Sequence, residues 1–224
     1  MKTTLKNTII LAVIILSTVS LKAQIKYGAQ VHGLLNKSSF ETEGVSPERE
    51  WKLGYGVGAF AEIPLKNNFY VRPSLNYQQK GSKMSQDFSI EGVSGTQKIE
   101  IKLEYIEMPI LFVYNIGQAS NNWYIGAGPS VGFGISGKAE ISQNIDGSTE
   151  TSYYKPFKEV DKGGLGFKQL DFSLNAIVGR RVFDKGMIQL GYFLGFTNIA
   201  NTDEFKNDKF KNRSLALTLG YQIN

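Results

Sequence analysis

The sequence contains no cysteine, a single histidine (His32) and two tryptophans. Without cysteine there is no disulfide framework and no thiolate metal site, and one imidazole cannot build a nitrogen-rich transition-metal shell. A hydrolase of the Ser-His-acid kind would have to be assembled around His32 alone. His32 stands in the polar phase of an alternating segment, which points to a place in an internal hydrogen-bond network. Beyond residue 24 no apolar run approaches the roughly 20 residues of a membrane-spanning helix. Basic runs are missing as well, so nucleic-acid binding is not expected. These absences leave no cofactor, no metal site and no catalytic cluster to propose from composition.

The N-terminal segment is of a different kind. Lys2 and Lys6 precede an apolar stretch, Thr8 to Val19, and Lys22-Ala23-Gln24 follows. This pattern predicts a signal peptide over residues 1–23, cut after Ala23 or one residue to either side, because Leu21 stands where a small residue is preferred. The formal charge of +5, from 25 basic and 20 acidic residues, would fall to +2 with the loss of Lys2, Lys6 and Lys22. The remaining residues, 24–224, are expected to form one exported domain stabilised by backbone hydrogen bonds.

What that domain does contain is period-two alternation, the mark of strands with two unlike faces. From Trp51 to Ile63 one face reads Trp51, Leu53, Tyr55, Val57, Ala59, Ala61, Ile63, and the other Lys52, Gly54, Gly56, Gly58, Phe60, Glu62. Trp123 to Ile135 and Ser214 to Ile223 behave alike. Five further segments fit: Ile25 to Leu35, Phe69 to Lys80, Lys98 to Asn115, Lys168 to Phe183 and Met187 to Ile199. In the fourth of the eight the phase blurs, which predicts a bulge near Pro109 and leaves the faces of its second half open. Short connections (Pro64–Asn68, Gly117–Asn122, Asp184–Gly186) alternate with long polar ones (Asn36–Glu50, Gly81–Gln97, Lys138–Gly166, Ala200–Arg213). The expected fold is all-β, an eight-stranded antiparallel up-and-down transmembrane barrel with short turns and termini periplasmic and four long loops outside. Pairing Ile63 with Phe69, and Val182 with Ile188, makes both faces of those hairpins agree.

A soluble lipocalin-like barrel would turn the apolar face inward. Composition favours a membrane barrel, because the polar face is rich in glycine and serine, as suits a cramped interior, and an aliphatic belt on every strand would aggregate in water. Aromatic residues fall at the ends of the apolar face: Phe69, Trp123 and Tyr221 near the short turns, and Trp51, Tyr77 and Phe196 near the long loops, as interfacial girdles. The inward charges Lys52, Glu62, Arg72, Asp171 and Arg181, with Phe60 against Arg72, are expected to form a paired polar plug rather than an ion path. The glycine runs at Gly54-Gly56-Gly58 and Gly126-Gly128-Gly132-Gly134 lack the strand-to-helix setting of a phosphate loop. Asn144-Ile145-Asp146-Gly147 and Asn201-Thr202-Asp203-Glu204 lack calcium-loop spacing and read as solvated turns.

The runs Glu104-Tyr105-Ile106-Glu107-Met108-Pro109-Ile110-Leu111, Tyr124 to Gly132, Asp171-Phe172-Ser173-Leu174-Asn175 and Gly195-Phe196-Thr197-Asn198-Ile199 together resemble the PorT-type outer-membrane β-barrel domain, porin-family-like proteins of Bacteroidota-type bacteria. Ala176 and Ile177 stand where such proteins often carry glycine, and Tyr221 rather than a terminal aromatic would serve the barrel-assembly machinery. The resemblance implies outer-membrane lipid as surroundings and a few relatives linked to protein secretion. The expected function is a non-enzymatic scaffold with four external loops for recognition by a partner not yet identified. The alternatives are a transporter of a small hydrophobic molecule and an accessory subunit of an envelope secretion system.

Overall fold

Alternation of small inward and bulky outward residues drives this chain into strands that have no stable partner except one another. The computed structural model describes residues 25–41, 48–90, 93–116, 122–200 and 209–224. The expected signal segment, most of the second short turn and the Asn201-Glu204 run lie outside them. Eight strands form the wall: β1 (Lys26–Asn36), β4 (Lys52–Pro64), β5 (Phe69–Ile90), β6 (Val93–Asn115), β7 (Trp123–Ile145), β9 (Leu170–Val182), β10 (Gly186–Gly195) and β12 (Arg213–Gln222). Four short ones, β2 (Ser39–Glu41), β3 (Glu48–Glu50), β8 (Ser148–Tyr154) and β11 (Lys209–Lys211), lie at or beyond the far end. Every wall strand pairs antiparallel with both neighbours, and β1 closes the ring on β12, His32 opposite Thr218. Closure leaves no edge in the spanning region, where an unpaired backbone group costs several kcal/mol.

The apolar phase faces outward. Leu53, Leu75, Phe112, Leu190 and Leu217 are all exposed, while Gln30, Asn76, Gln78, Glu107 and Thr218 on the opposite phase are buried. Inward glycines make room for rings that cross the lumen: a Cβ at Gly28 would lie 2.4 Å from Cζ of Phe60.

Three expectations about the wall need correction. In the first hairpin Ile63 pairs with Val71, not Phe69, and Phe60 faces Ser74, not Arg72. The loop Leu65–Asn68 closes because Asn67 and Asn68 both adopt positive φ, which asparagine tolerates, and the Leu65 amide donates to the Phe69 carbonyl at 2.7 Å. In the third, Val182 pairs with Gly186, so the turn is Phe183–Lys185 and Ile188 faces Arg180. Both errors are slips of two residues, which leave every side chain on its proper face. Third, Pro109 pairs normally with Ser130, and the irregularity lies between Glu104 and Tyr105. Those two residues face Ser136 and Gly134, so Ile135 of β7 is the extra residue. The second half of β6 sends Glu107, Pro109, Leu111 and Val113 inward and Met108, Ile110, Phe112 and Tyr114 outward. Its pattern blurred because Leu111 and Val113 are apolar luminal residues packed with Phe60, Tyr124 and Met187.

The largest departure concerns two of the expected loops. Gly81–Gln97 is the upper part of a ladder in which β5 and β6 pair without interruption from Gly81–Lys102 to Ile90–Val93. Lys138–Gly166 holds the end of β7 and all of β8, paired from Ala139–Tyr154 to Ile145–Ser148. β5, β6 and β7 run 22, 23 and 23 residues, about twice what a tilted strand needs to cross a bilayer. The wall therefore rises well above the spanning belt on one side of the ring, and β3 extends that raised sheet at its β5 edge.

Candidate functional site

The inward side chains of the wall form layers that fill the barrel. Nearest the short turns, Glu62 lies between two arginines: its Oε2 accepts from Arg181 Nη2 at 2.9 Å, and its Oε1 is in ion contact with Arg72 Nη2 at 2.5 Å. Arg72 donates from Nη1 to Gln189 at 3.0 Å, and its guanidinium lies 4.7 Å from the Tyr124 ring centre and 5.8 Å from that of Phe60. The Tyr124 hydroxyl donates to the same Gln189 oxygen at 3.3 Å. Glu62, Arg72 and Phe60 thus lie together, with Arg181 and Tyr124 as further members of the layer. The two-residue change of register brings Glu62 and Arg72 directly opposite each other on neighbouring strands, where the expected pairing would have left them diagonal.

A neutral layer follows. Gln30 donates to Asn76 Oδ1 at 2.7 Å, and the His32 ring meets Thr218 at 2.9 Å and Asn76 at 3.3 Å. His32 is thereby occupied on both ring nitrogens. Above it stands a second charged layer that the sequence reading missed. Lys80 lies 2.9 Å from Glu107 and 3.8 Å from Asp171. Ser130 donates to Glu107 at 3.0 Å, and Asn212 donates to Asp171 at 2.9 Å. Asp171 therefore belongs to the Lys80 layer and not to that of Glu62. The two layers carry opposite surplus charge, two arginines to one carboxylate below and two carboxylates to one lysine above.

Lys52, grouped with the plug by its phase, sits higher still and pairs with Glu100 at 2.6 Å. Lys83 and Lys102 also lie 3.4 Å from that carboxylate. Desolvation acts to raise the Glu100 carboxyl, but Lys52, then Lys83 and Lys102, outweigh it and hold the pKa down to about 2. The signal for Lys80 was its even-numbered phase with Arg72 and Asn76. Glu107 was hidden in the blurred half of β6.

Over the upper layer the chain builds an apolar mouth. Met84, Ile101, Leu103, Tyr105, Ala139, Ile199 and Phe210 form one buried cluster, joined by Phe157 and Phe167. The segment after β8 turns back through the short 3-10 turn Val160–Lys162, and the Phe167 amide donates to the Pro156 carbonyl at 2.8 Å. Phe157 meets the Tyr105 ring edge-on at 5.7 Å. It occupies the space that a side chain on Gly134 would need. Among the described residues no group of three or more histidines, cysteines or carboxylates could hold a metal ion.

The girdle residues all lie on the outward phase. Trp51, Phe69, Trp123, Phe196 and Tyr221 are exposed, and Tyr77 is half-buried beside Tyr55 at 6.3 Å. Phe69 packs on Tyr114 at 4.7 Å, and Arg180 lies 5.8 Å from the Trp123 ring.

The sequence model of the outer membrane protein beta-barrel domain matches residues 20–201. No curated protein matches the chain in sequence. Solved structures similar to it include Ail, the attachment invasion locus protein of Yersinia pestis, in complex with the heparin analogue sucrose octasulfate (15% identity, TM-score 0.43, 88% of this chain and 99% of that one). Neisserial surface protein A is similar at 14% identity and TM-score 0.42, over 88% of this chain and 95% of that one. The outer membrane protein OprG of Pseudomonas aeruginosa is similar at 10% identity and TM-score 0.38, over 89% and 94%.

Proposed function

Because the chain belongs to the outer membrane protein beta-barrel domain family, we propose that it is a non-enzymatic outer-membrane scaffold whose raised hairpins recognise a partner outside the cell. The observation that carries this reading is the contrast between a lumen filled by paired charges and a wall that rises far beyond the membrane on one side. A filled lumen supports neither solute flow nor passage of a hydrophobic molecule, and strand material beyond the belt contributes nothing to spanning. In this reading the short turns, and the start of β1 that meets Asn224 through Ile25 and Tyr27, face the periplasm.

A tag placed at Gly147, the tip of the β7–β8 hairpin, tests the orientation: it should be labelled on intact cells. Replacing Asn144–Thr149 by a two-residue turn, which removes a matched pair of residues from each arm, should leave a folded barrel and abolish capture of whatever surface ligand the full hairpin binds. An unlabelled tag would reverse the orientation, and unchanged capture would remove the β7–β8 hairpin from recognition.

One feature favours a second reading. Phe183, at the tip of the third short turn, is 96% exposed and adopts a positive φ of 57°, unusual for an aromatic residue. A bare ring held there suits contact with an envelope protein on the periplasmic side, as an accessory subunit of a secretion system would make, and the PorT-type resemblance is consistent with it. Loss of a co-purifying periplasmic protein on Phe183→Ser, with the hairpins intact, would favour this second role.

A further inference from the structure

On the hairpin-end rim the named cations of one side of the ring have a carboxylate partner, and those of the other side do not. On the tall side, Lys83 and Lys102 share Glu100, and Lys138 lies 3.5 Å from Glu140. On the low side, the β1–β12 ladder ends with Asn36 opposite Ser214, and the Lys37 amide donates to the Arg213 carbonyl at 3.0 Å. Lys37 and Arg213 therefore stand side by side on the outward phase. Among the described residues neither has a carboxylate within ion-pair distance, and the Lys37 ammonium lies over the Trp51 ring at 5.4 Å. Like charges directly opposite on neighbouring strands repel, so this corner has an unmet need for an anion.

What lies beneath identifies the anion. The next outward row toward the short turns is Leu215, Leu35 and Leu53, and the row after it is Leu217, Gly33 and Tyr55. Gly33 interrupts bulky neighbours in its own row and in the rows above and below it: a Cβ there would find nothing nearer than the Leu217 carbonyl oxygen at 4.0 Å. A notch one side chain wide thus lies in the lipid-facing wall two rows below a pair of uncompensated cations and a tryptophan. A free anion would use the cations but not the notch.

We propose that this corner binds an anionic lipid, its phosphate between Lys37 and Arg213, its headgroup edge on Trp51 and one acyl chain in the Gly33 notch. The inference goes beyond recognition by the hairpins and does not depend on which leaflet they overlie.

The test uses the full chain purified in detergent, with lipid retention followed by native mass spectrometry against phosphatidylglycerol and phosphatidylcholine. The wild type should prefer phosphatidylglycerol, and the doubly substituted Lys37→Gln, Arg213→Gln protein should lose that preference about tenfold. A Lys83→Gln, Lys102→Gln control removes as much charge from the paired side and should leave the preference in place. Gly33→Leu, which keeps both cations, should weaken retention by filling the notch. Gel mobility before and after boiling confirms that each variant is folded. Should the double variant fail to fold, the wild-type preference must still fall as salt is raised. Equal loss in the control, unchanged retention in the double variant or in Gly33→Leu, or a preference insensitive to salt would overturn the site. Displacement of the lipid by millimolar inorganic phosphate would show a free-anion site instead and overturn the lipid assignment.

Discussion

The Tyr124 ring occupies the space that any side chain at Gly179 would need: a Cβ there would fall 2.3 Å from Tyr124 Cζ. The two residues face each other across the β7–β9 ladder, and Tyr124 in turn supports Arg72 and Gln189. Gly179→Ala should therefore destabilise the barrel by about 1–3 kcal/mol through overpacking. Gly33→Ala, with open space outside the wall, should be nearly neutral. Urea unfolding in detergent would compare the two, and equal effects would contradict this account of the lumen.

The Glu62 layer predicts an order of severity. Arg72→Ala leaves Glu62 with Arg181, whereas Glu62→Ala leaves the buried Arg72 and the half-buried Arg181 guanidinium groups without a counter-charge. Removing one member of a buried pair costs about 3–5 kcal/mol, and the glutamate variant should lie at the upper end of that range and the arginine variant at or below the lower. Neither should turn the barrel into a pore. In planar bilayers the intact protein should show no large steady conductance, and porin-sized currents would refute the filled lumen.

Leu217 and Thr218 test the direction of the two faces on one strand. Leu217 is 50% exposed and Thr218 fully buried. Arginine at Leu217 should cost about 2–4 kcal/mol near mid-membrane, and arginine at Thr218 should act through crowding against His32. A spin label at Leu217 should be quenched by lipid-soluble reagents and one at Thr218 by neither lipid-soluble nor aqueous reagents. Aqueous quenching at Leu217 would contradict the outward belt.

Acid should loosen the raised sheet before the barrel. The Glu100 carboxyl is held at about 2, below its ordinary value of 4.5, so its pairing with Lys52 stabilises the folded chain above pH 4.5 and is lost as pH falls toward 2. Because Glu100 is about one-third exposed (32%), screening limits the contribution to about 1 kcal/mol or less. Hydrogen exchange at β5–β6 amides near Lys83 should accelerate over that window in the wild type. Glu100→Gln should flatten the response, and an unchanged profile in that variant would assign the acid sensitivity elsewhere.

The faces of the wall were legible in the sequence because lipid on one side and a crowded lumen on the other impose opposite demands on alternate residues. Register was not, since a slip of two residues at Ile63 or Val182 preserves every face and only the turn geometry at Asn67, Asn68 and Phe183 decides it. The Glu62–Arg72 pair could be read from phase alone. The Lys80–Glu107–Asp171 layer could not, because Leu111 and Val113 face inward on the same strand as Glu107 and erase the polar signature. The raised hairpins read as loops in the sequence because, beyond the bilayer, outward positions such as Lys83, Glu100 and Lys138 meet water and lose the apolar half of the alternation.

Ile135 shows what a single surplus residue does in such a wall: below it even-numbered positions of β7 look into the barrel, and above it odd-numbered ones such as Ala139 do. Growth of the hairpins is consequently quantised. Lengthening both arms of β5–β6 by matched steps of two adds rungs at the tip and leaves the lumen as it is, whereas an odd step must either invert the added segment or be absorbed in a bulge. The height of the platform can thus vary between descendants of this chain while the barrel that carries it stays the same.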